Sequence, residues 1–406
     1  MRRVLPIVAI VLFVFVAGCG GKYALPRERP AARPVPSDKS YAMLSTWRNM
    51  DGIRDILITQ GLGSQMFMVF NHYPTTPGPV HGGYDPLVPQ GEVRLYPFAA
   101  PTPIGAPYFR SLTTLFNPIG VAVSSGRLFV LDEGDSCEAK WDTFRNTCEA
   151  DRTPLPNTRR SLVRDYLAIW RVREFATGGG DTISTFTDTT FAQVWGVTAD
   201  DAGHVYVSGI ATVLDTSTID QHFRTRKFAS RVYRYARGPR YVGLVPDSLN
   251  RDNNMPGANW HRDTSWVAFD GTGASFVSDP RGIAWSKVNG LPTIVIADRG
   301  NNQVKAISAT AISVPYVRFD GRDSYVGFDA PEDVAEDMQG FFYAVDRNNK
   351  RVVRYDPLGN YVQDVNVETN SDSLPLLDPV TVGADDSLAY IGDRGRGQVI
   401  RYKRRP

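Results

Sequence analysis

Aspartates recur in this chain at a near-constant interval. Asp298, Asp346 and Asp393 lie 48 and 47 residues apart, and Asp132 has the same local setting. A carboxylate repeated this way invites a catalytic reading, but its surroundings argue for a structural task. Each one closes an apolar or aromatic run and precedes a turn, where a carboxylate accepts backbone N–H bonds. Asn301, Asn302, Asn348 and Asn349 in those turns suit backbone of positive φ. The histidines His72, His81, His204, His222 and His261 are scattered, with no H-x-H or H-E-x-x-H. Only His72 and His81, on either side of a Pro/Gly-rich loop, suggest a metal. No G-x-S-x-G, Walker or G-x-G-x-x-G motif stands in a strand–turn–helix context.

The elements that must position such residues are short strands. Residues 330–355 read A-P-E-D-V-A-E-D-M-Q-G-F-F-Y-A-V-D-R-N-N-K-R-V-V-R-Y. An apolar run, a Gly turn, an aromatic run ending in Asp346, an Asn turn and an alternating run make three antiparallel strands. The unit recurs at 279–307 and 378–402. It recurs again at 117–132 with its third strand at 166–175, at 194–209 with its third strand at 231–235, and more loosely at 51–71 with 91–96. A fixed period in this range marks an array of supersecondary units. Residues 108–112, 181–186, 266–270, 316–320 and 360–365 can each add a fourth, outer strand. The last unit lacks one, and 40–47 is the segment placed to supply it, closing a ring without open edges. The stretch 238–279 leaves room for a degenerate seventh unit.

Composition agrees with an all-β chain of this kind. It has 11% aromatic residues, 36 Gly and 28 Pro, which favour many short strands and turns. Lys and Arg number 45 against 43 Asp and Glu. Arg2 and Arg3 lie in a segment expected to be removed, so the mature chain is neutral and carries no electrostatic footprint for nucleic acid.

That segment is the N-terminus, M-R-R-V-L-P-I-V-A-I-V-L-F-V-F-V-A-G-C-G-G. Two arginines, an apolar run and a small-residue site read as a secretory signal. Val16-Ala17-Gly18-Cys19 resembles the lipobox of bacterial lipoproteins. The resemblance implies cleavage after residue 18 and lipidation of Cys19. It also implies a cell-envelope address, and Gly20 in place of an aspartate favours the outer membrane. Residues 19–39 then form a lipidated, Pro-rich tether, and 40–406 the folded body. With Cys19 committed to lipid, Cys137 and Cys148 remain as a pair bracketing a polar insertion. A disulfide is the expected state in an oxidising compartment, with two free thiols or a metal site as its rivals.

The pattern P-x-G-V-A-V…G-x-(L/I/V)-(Y/F)-V-x-D…N-x-(R/Q)-V resembles the NHL repeat. The resemblance implies a six-bladed β-propeller over residues 51–402. Gly209 and Asn71 depart from the marker aspartate, and Thr381 departs from the glycine. Calcium-dependent gluconolactonase-like propellers, which this pattern also resembles, hold metal at the x of P-x-G. Here that ring reads Asp51, Ile119, Trp195, Arg281, Glu332 and Val380. Asp51 and Glu332 suit calcium, while Asn117, Asp333 or Asp378 would have to turn inward to complete a site. The ring reads better as a binding surface, with an Arg281–Glu332 ion pair beside Trp195 and with Asp333 and Asp51 at the channel mouth. The expected function is therefore non-catalytic binding of a protein, peptide or glycan partner by an anchored propeller, without a cofactor. A calcium-dependent hydrolase or lyase is the alternative; amidating lyases of related fold need convergent histidines that the sequence does not show. Long loops at 71–90, 134–164 and 214–228 are the expected contact surfaces.

Overall fold

In a computed structural model of the chain, the described residues run from 41 to 405. They omit 60–64, 72–90, 98–109, 116, 135–140, 143–146, 149–168, 178–179, 181, 187, 189, 215–225, 239–259, 273–275, 289, 311–316, 320–326 and 366–374. Six antiparallel sheets stand in a ring as the blades of a β-propeller. Blade 1 comprises Ile53–Ile58, Gln65–Asn71, Gly91–Pro97 and Arg110–Leu115, from the channel outward. Blade 2 comprises Pro118–Ser124, Arg127–Gly134, Ile169–Ala176 and Ser184–Phe186. Blade 3 comprises Phe191–Ala199, Val205–Leu214, Arg226–Arg237 and Trp260–Asp270, with a short parallel addition at Phe276–Val277. Blade 4 comprises Pro280–Val288, Leu291–Asp298, Gln303–Ser308 and Val317–Phe319. Blade 5 comprises Pro331–Glu336, Phe342–Asp346, Arg351–Tyr355 and Tyr361–Asp364.

Blade 6 is built from both ends of the described chain. Pro379–Ala384, Leu388–Asp393 and Gln398–Arg404 are joined by Tyr41–Trp47, which pairs antiparallel from Tyr41↔Arg404 to Trp47↔Val399. The expected closing strand is thus in place. There are six blades rather than seven, because Trp260–Asp270 is spent as the outer strand of blade 3. The other outer strands fall where the sequence put them, within a few residues.

The strands hold because both faces of each blade are buried against its neighbours. Six apolar clusters fill the six seams between adjacent blades. Tyr343, Val345 and Val352 meet Val382 and Ile391 between blades 5 and 6. Trp47 and Tyr390 meet Ile53, Ile56 and Met68 between blades 6 and 1. The inner strands pack each on the next, and the sixth packs on the first.

The marker aspartates are scaffold. Asp132, Asp298, Asp346 and Asp393 are fully buried. Each reaches back to the loop that enters its own blade, accepting the N–H of Asn117, Ser278, Asp329 or Asp378 at 2.6–2.9 Å. A cation from the third strand or its turn balances each charge. Lys305 Nζ lies 2.7 Å from Asp298 with both side chains at 0% exposure, and Arg351 Nε lies 2.7 Å from Asp346. Of the four turn asparagines only Asn302 has positive φ, and in blade 5 Lys350 takes that conformation. Asn301 and Asn349 stand earlier in their turns and donate their side-chain amides to Asp298 and Asp346. A second set of aspartates caps the opposite hairpins. Oδ1 of Asp200, Asp337 and Asp385 accepts two backbone N–H bonds across each turn, and the hydroxyls of Tyr206 and Tyr343 donate to the other oxygen of the first two.

Candidate functional site

Every inner strand carries a bulge near its start, two residues standing opposite one. The register jumps from Pro118↔Asp132 to Gly120↔Leu131, from Val194↔Gly209 to Gly196↔Ser208, and from Pro331↔Asp346 to Asp333↔Val345. Such a bulge re-aims side chains and is favoured beside sites. It sets two stacked rings around the channel. The upper ring, at the mouth, is Arg54, Ile119, Trp195, Arg281, Glu332 and Val380. The lower ring, at the waist, is Asp55, Gly120, Gly196, Gly282, Asp333 and Thr381. Both line a channel of about 820 Å³, except that Thr381 stands just behind the wall.

Asp51 does not belong to this ring. In blade 1 the register jumps from Ile53↔Phe70 to Asp55↔Val69, so Arg54 occupies the mouth position. Asp51 is exposed, and its carboxylate lies against Gly397 in a turn of blade 6. Blade 1 lacks both the proline and the marker aspartate, and without those two anchors the repeat is easily aligned three residues out of phase.

Arg281 and Glu332 both reach the mouth, but in other pairings than the sequence suggested. The Arg281 guanidinium lies 3.7 Å over the Trp195 ring and 3.1 Å from Asp279. Asp279 also faces Arg299 at 3.8 Å, and Arg299 faces Glu332 at 3.8 Å. Glu332 meets Arg347 at 3.3 Å, Arg347 meets Asp378 at 2.6 Å, and Asp378 meets Arg394 at 2.8 Å. Charges therefore alternate along an arc over blades 4, 5 and 6, with an arginine at both ends. Burial alone would raise the Asp378 carboxyl, yet Arg347 and Arg394 outweigh it and hold the group below its ordinary value. Arg299, Arg347 and Arg394 each follow a marker aspartate. The recurring D-R dipeptide was the signal that could have found them.

One layer below, Asp55 and Asp333 stand on either side of Thr381, whose hydroxyl lies 3.4 Å from Asp55 Oδ1. Asp55 Oδ2 accepts the Val121 N–H of blade 2 at 2.9 Å, and Asp333 Oδ2 accepts the Val382 N–H of blade 6 at 3.1 Å. Thr381 Oγ1 accepts the Ile56 N–H at 3.0 Å. Each polar side chain of this ring thus ties its inner strand to the next blade. Gly282 and Gly120 leave the space these carboxylates enter, since a Cβ at Gly282 would stand 2.1 Å from Asp333 Oδ1. Both acids sit deep in the wall with only partial access to the channel. Burial pushes Asp55 up to about 6. Burial, and then the neighbouring Asp55 charge, push Asp333 well above the carboxylate range. Farther down, Glu336 accepts the Ser286 hydroxyl at 2.8 Å, and burial raises it to about 7.

The remaining candidates are dispersed. Asn117 Oδ1 accepts the side-chain amide of Asn71, which replaces the marker in blade 1. His204 pairs with Asp200 at 2.7 Å. Cys19, Cys137, His72, His81 and His222 lie outside the described residues, and of Cys148 only the backbone is described, in a short hairpin with Trp141–Asp142. Among the described residues no group of three or more His, Cys, Asp or Glu is arranged to hold a metal.

No family model matches the chain, and no curated protein matches it. Solved structures do. Virginiamycin B lyase from Staphylococcus aureus, in a catalytically inactive form with Quinupristin, aligns at 7% identity and a TM-score of 0.41, over 90% of this chain and 98% of that one. A chain of a nidogen/laminin complex aligns at 10% identity and 0.42, over 77% and 79%. A protein of unknown function from Bacteroides thetaiotaomicron aligns at 12% identity and 0.43, over 90% and 73%. The likeness is one of fold alone.

Proposed function

We propose that this chain is a lipid-anchored, NHL-like propeller of the bacterial envelope that binds a protein or peptide partner through the channel mouth. In this reading residues 1–18 are removed, Cys19 carries lipid, 19–39 are the tether, and 40–406 are the binding body, held at the outer membrane. The carrying observation is the asymmetry of one face. Inner strands begin where second strands end, so the mouth ring and the connections from second to third strands share a face. In blades 4, 5 and 6 those connections are tight turns bearing Arg299, Arg347 and Arg394. In blades 1, 2 and 3 they leave after Asn71, Gly134 and Leu214 and return only at Gly91, Ile169 and Arg226. Long insertions gathered on one side of a rigid ring are the usual form of a binding surface in repeat proteins.

The calcium-dependent hydrolase or lyase is less well supported. Asp51 lies off the channel lining, and Glu332 faces two arginines that would oppose a cation. Photo-crosslinking in living cells tests the binding reading. A crosslinker at Trp195 should yield one dominant adduct, and a crosslinker at Leu358, in a hairpin turn on the opposite face, should not. Adducts of equal yield from both positions, or none from Trp195, would overturn the reading.

A further inference from the structure

We infer that the mouth selects an acidic peptide segment, read by the arginine arc; this rests on the mouth being the binding surface. The arc holds four arginines, Arg281, Arg299, Arg347 and Arg394, against three carboxylates, Asp279, Glu332 and Asp378. Each carboxylate is shared between two guanidiniums. The acids therefore fix the arginines in place without neutralising them, and positive charge is left at the rim.

Order already present in the free protein lowers the entropic cost of capturing a ligand. Guanidinium groups also offer planar, paired donors that match a carboxylate. Arg394 is the arginine of the arc most open to such a partner, its side chain 37% exposed. The ligand is held at the rim and not drawn inward. Asp55 and Asp333 wait one layer down, and an anion pushed inward would meet their carboxyls.

A glycan fits less well. Sugar rings seek an open aromatic face, and Trp195, the aromatic member of the mouth ring, already has one face under Arg281 at 3.7 Å. The surplus of guanidinium over carboxylate favours a run of Asp and Glu side chains.

Fluorescence anisotropy with the purified full-length protein and a labelled hexaglutamate peptide tests the inference. Binding should fall steeply as salt is raised, since exposed charges are screened within about 10 Å at 0.1 M. Arg394→Gln, at the exposed end of the arc, should weaken it about fivefold, the scale of one exposed ion pair. Arg281→Gln should weaken it at least as much. Lys287→Gln, on the opposite face and paired with Asp201 at 2.7 Å, should leave it unchanged. Thermal unfolding of each variant separates loss of binding from loss of fold, and should Arg281→Gln not fold, Arg394→Gln decides.

Absence of hexaglutamate binding at low salt would overturn the inference. So would equal binding of hexalysine, equal sensitivity to Lys287→Gln, or tighter binding of an oligogalacturonate, which would replace peptide with acidic glycan. A Trp195 adduct in cells without hexaglutamate binding would sink the acidic ligand and leave the binding face standing. Hexaglutamate binding without such an adduct would do the reverse.

Discussion

Asp55→Asn probes the waist of the channel most directly. Burial raises the Asp55 carboxyl from 3.8 to about 6, so the folded chain binds this proton more tightly than the unfolded chain. For a group shifted in that direction, stability is greatest below the unfolded value. It falls as pH rises from about 4 to about 6 and stays low above that. Roughly two pK units at 1.36 kcal/mol each give a cost of about 3 kcal/mol at pH 8. Asparagine keeps the shape and the Val121 bond, because its carbonyl can accept that N–H and its amide can donate to Thr381 Oγ1. It removes the ionisation, and it also removes the charge that raises Asp333. Urea unfolding at pH 4.5 and pH 8 is the assay. The variant should match the parent at pH 4.5 and exceed it by about 1–3 kcal/mol at pH 8, the lower figure allowing for water that enters the channel. Parallel pH profiles for the two proteins, or a variant less stable at pH 8, would refute the argument that burial leaves this carboxylate poorly compensated.

Four further outcomes follow from the scaffold and the address. Asp298→Ala leaves Lys305 charged at 0% exposure and should cost about 3–5 kcal/mol, read from the urea midpoint. Trp47→Ala removes a side chain 4% exposed between Tyr96 and Tyr390 at the ring closure and should cost about 3–5 kcal/mol in the same assay. Cys19→Ser should leave the chain unlabelled by a fatty-acid probe and unprocessed in size, while thiol titration of the denatured, unreduced protein should find neither Cys137 nor Cys148 reactive.

Blades 4 and 5 could be read from the sequence because local chemistry repeats there without interruption. Pro280 and Pro331 open the inner strands, Asp298 and Asp346 close the second, and tight turns keep the period. The closing strand was legible by subtraction, since the last unit had three strands and Tyr41–Trp47 had no other sheet to join. The first blade was not legible to the residue. Its hydrophobic run survives, but Gly52 and Ile53 stand where other blades have clearer punctuation, so the pattern points to Asp51 instead of Arg54. Arg281 and Glu332 both line the channel, but their ion-pair partners are not the ones the sequence suggests. Pairing across blades is decided by turns such as Arg299 and Arg347, which the one-dimensional pattern sets aside as scaffold. From the sequence, Asp333 reads as a mouth residue, or as a ligand that would have to turn inward. Its real environment depends on Asp55, 278 residues earlier, and on the glycines facing both. Side-chain neighbourhoods made by ring closure leave no local trace.

That closure also governs how the chain can be made. Tyr41 pairs with Arg404, so the earliest strand of the body can find its place only after nearly the whole body has been synthesised or translocated. Closing a loop of that length adds an entropic cost that grows only logarithmically, but long-range pairing slows folding. Until then blade 6 lacks its outer strand, and Tyr41–Trp47 has nothing to zip against. A nascent propeller is therefore an open-ended chain for most of its biogenesis. Losing the few residues of Gln398–Arg404 would deprive the first strand of its partner as surely as deleting the first strand itself.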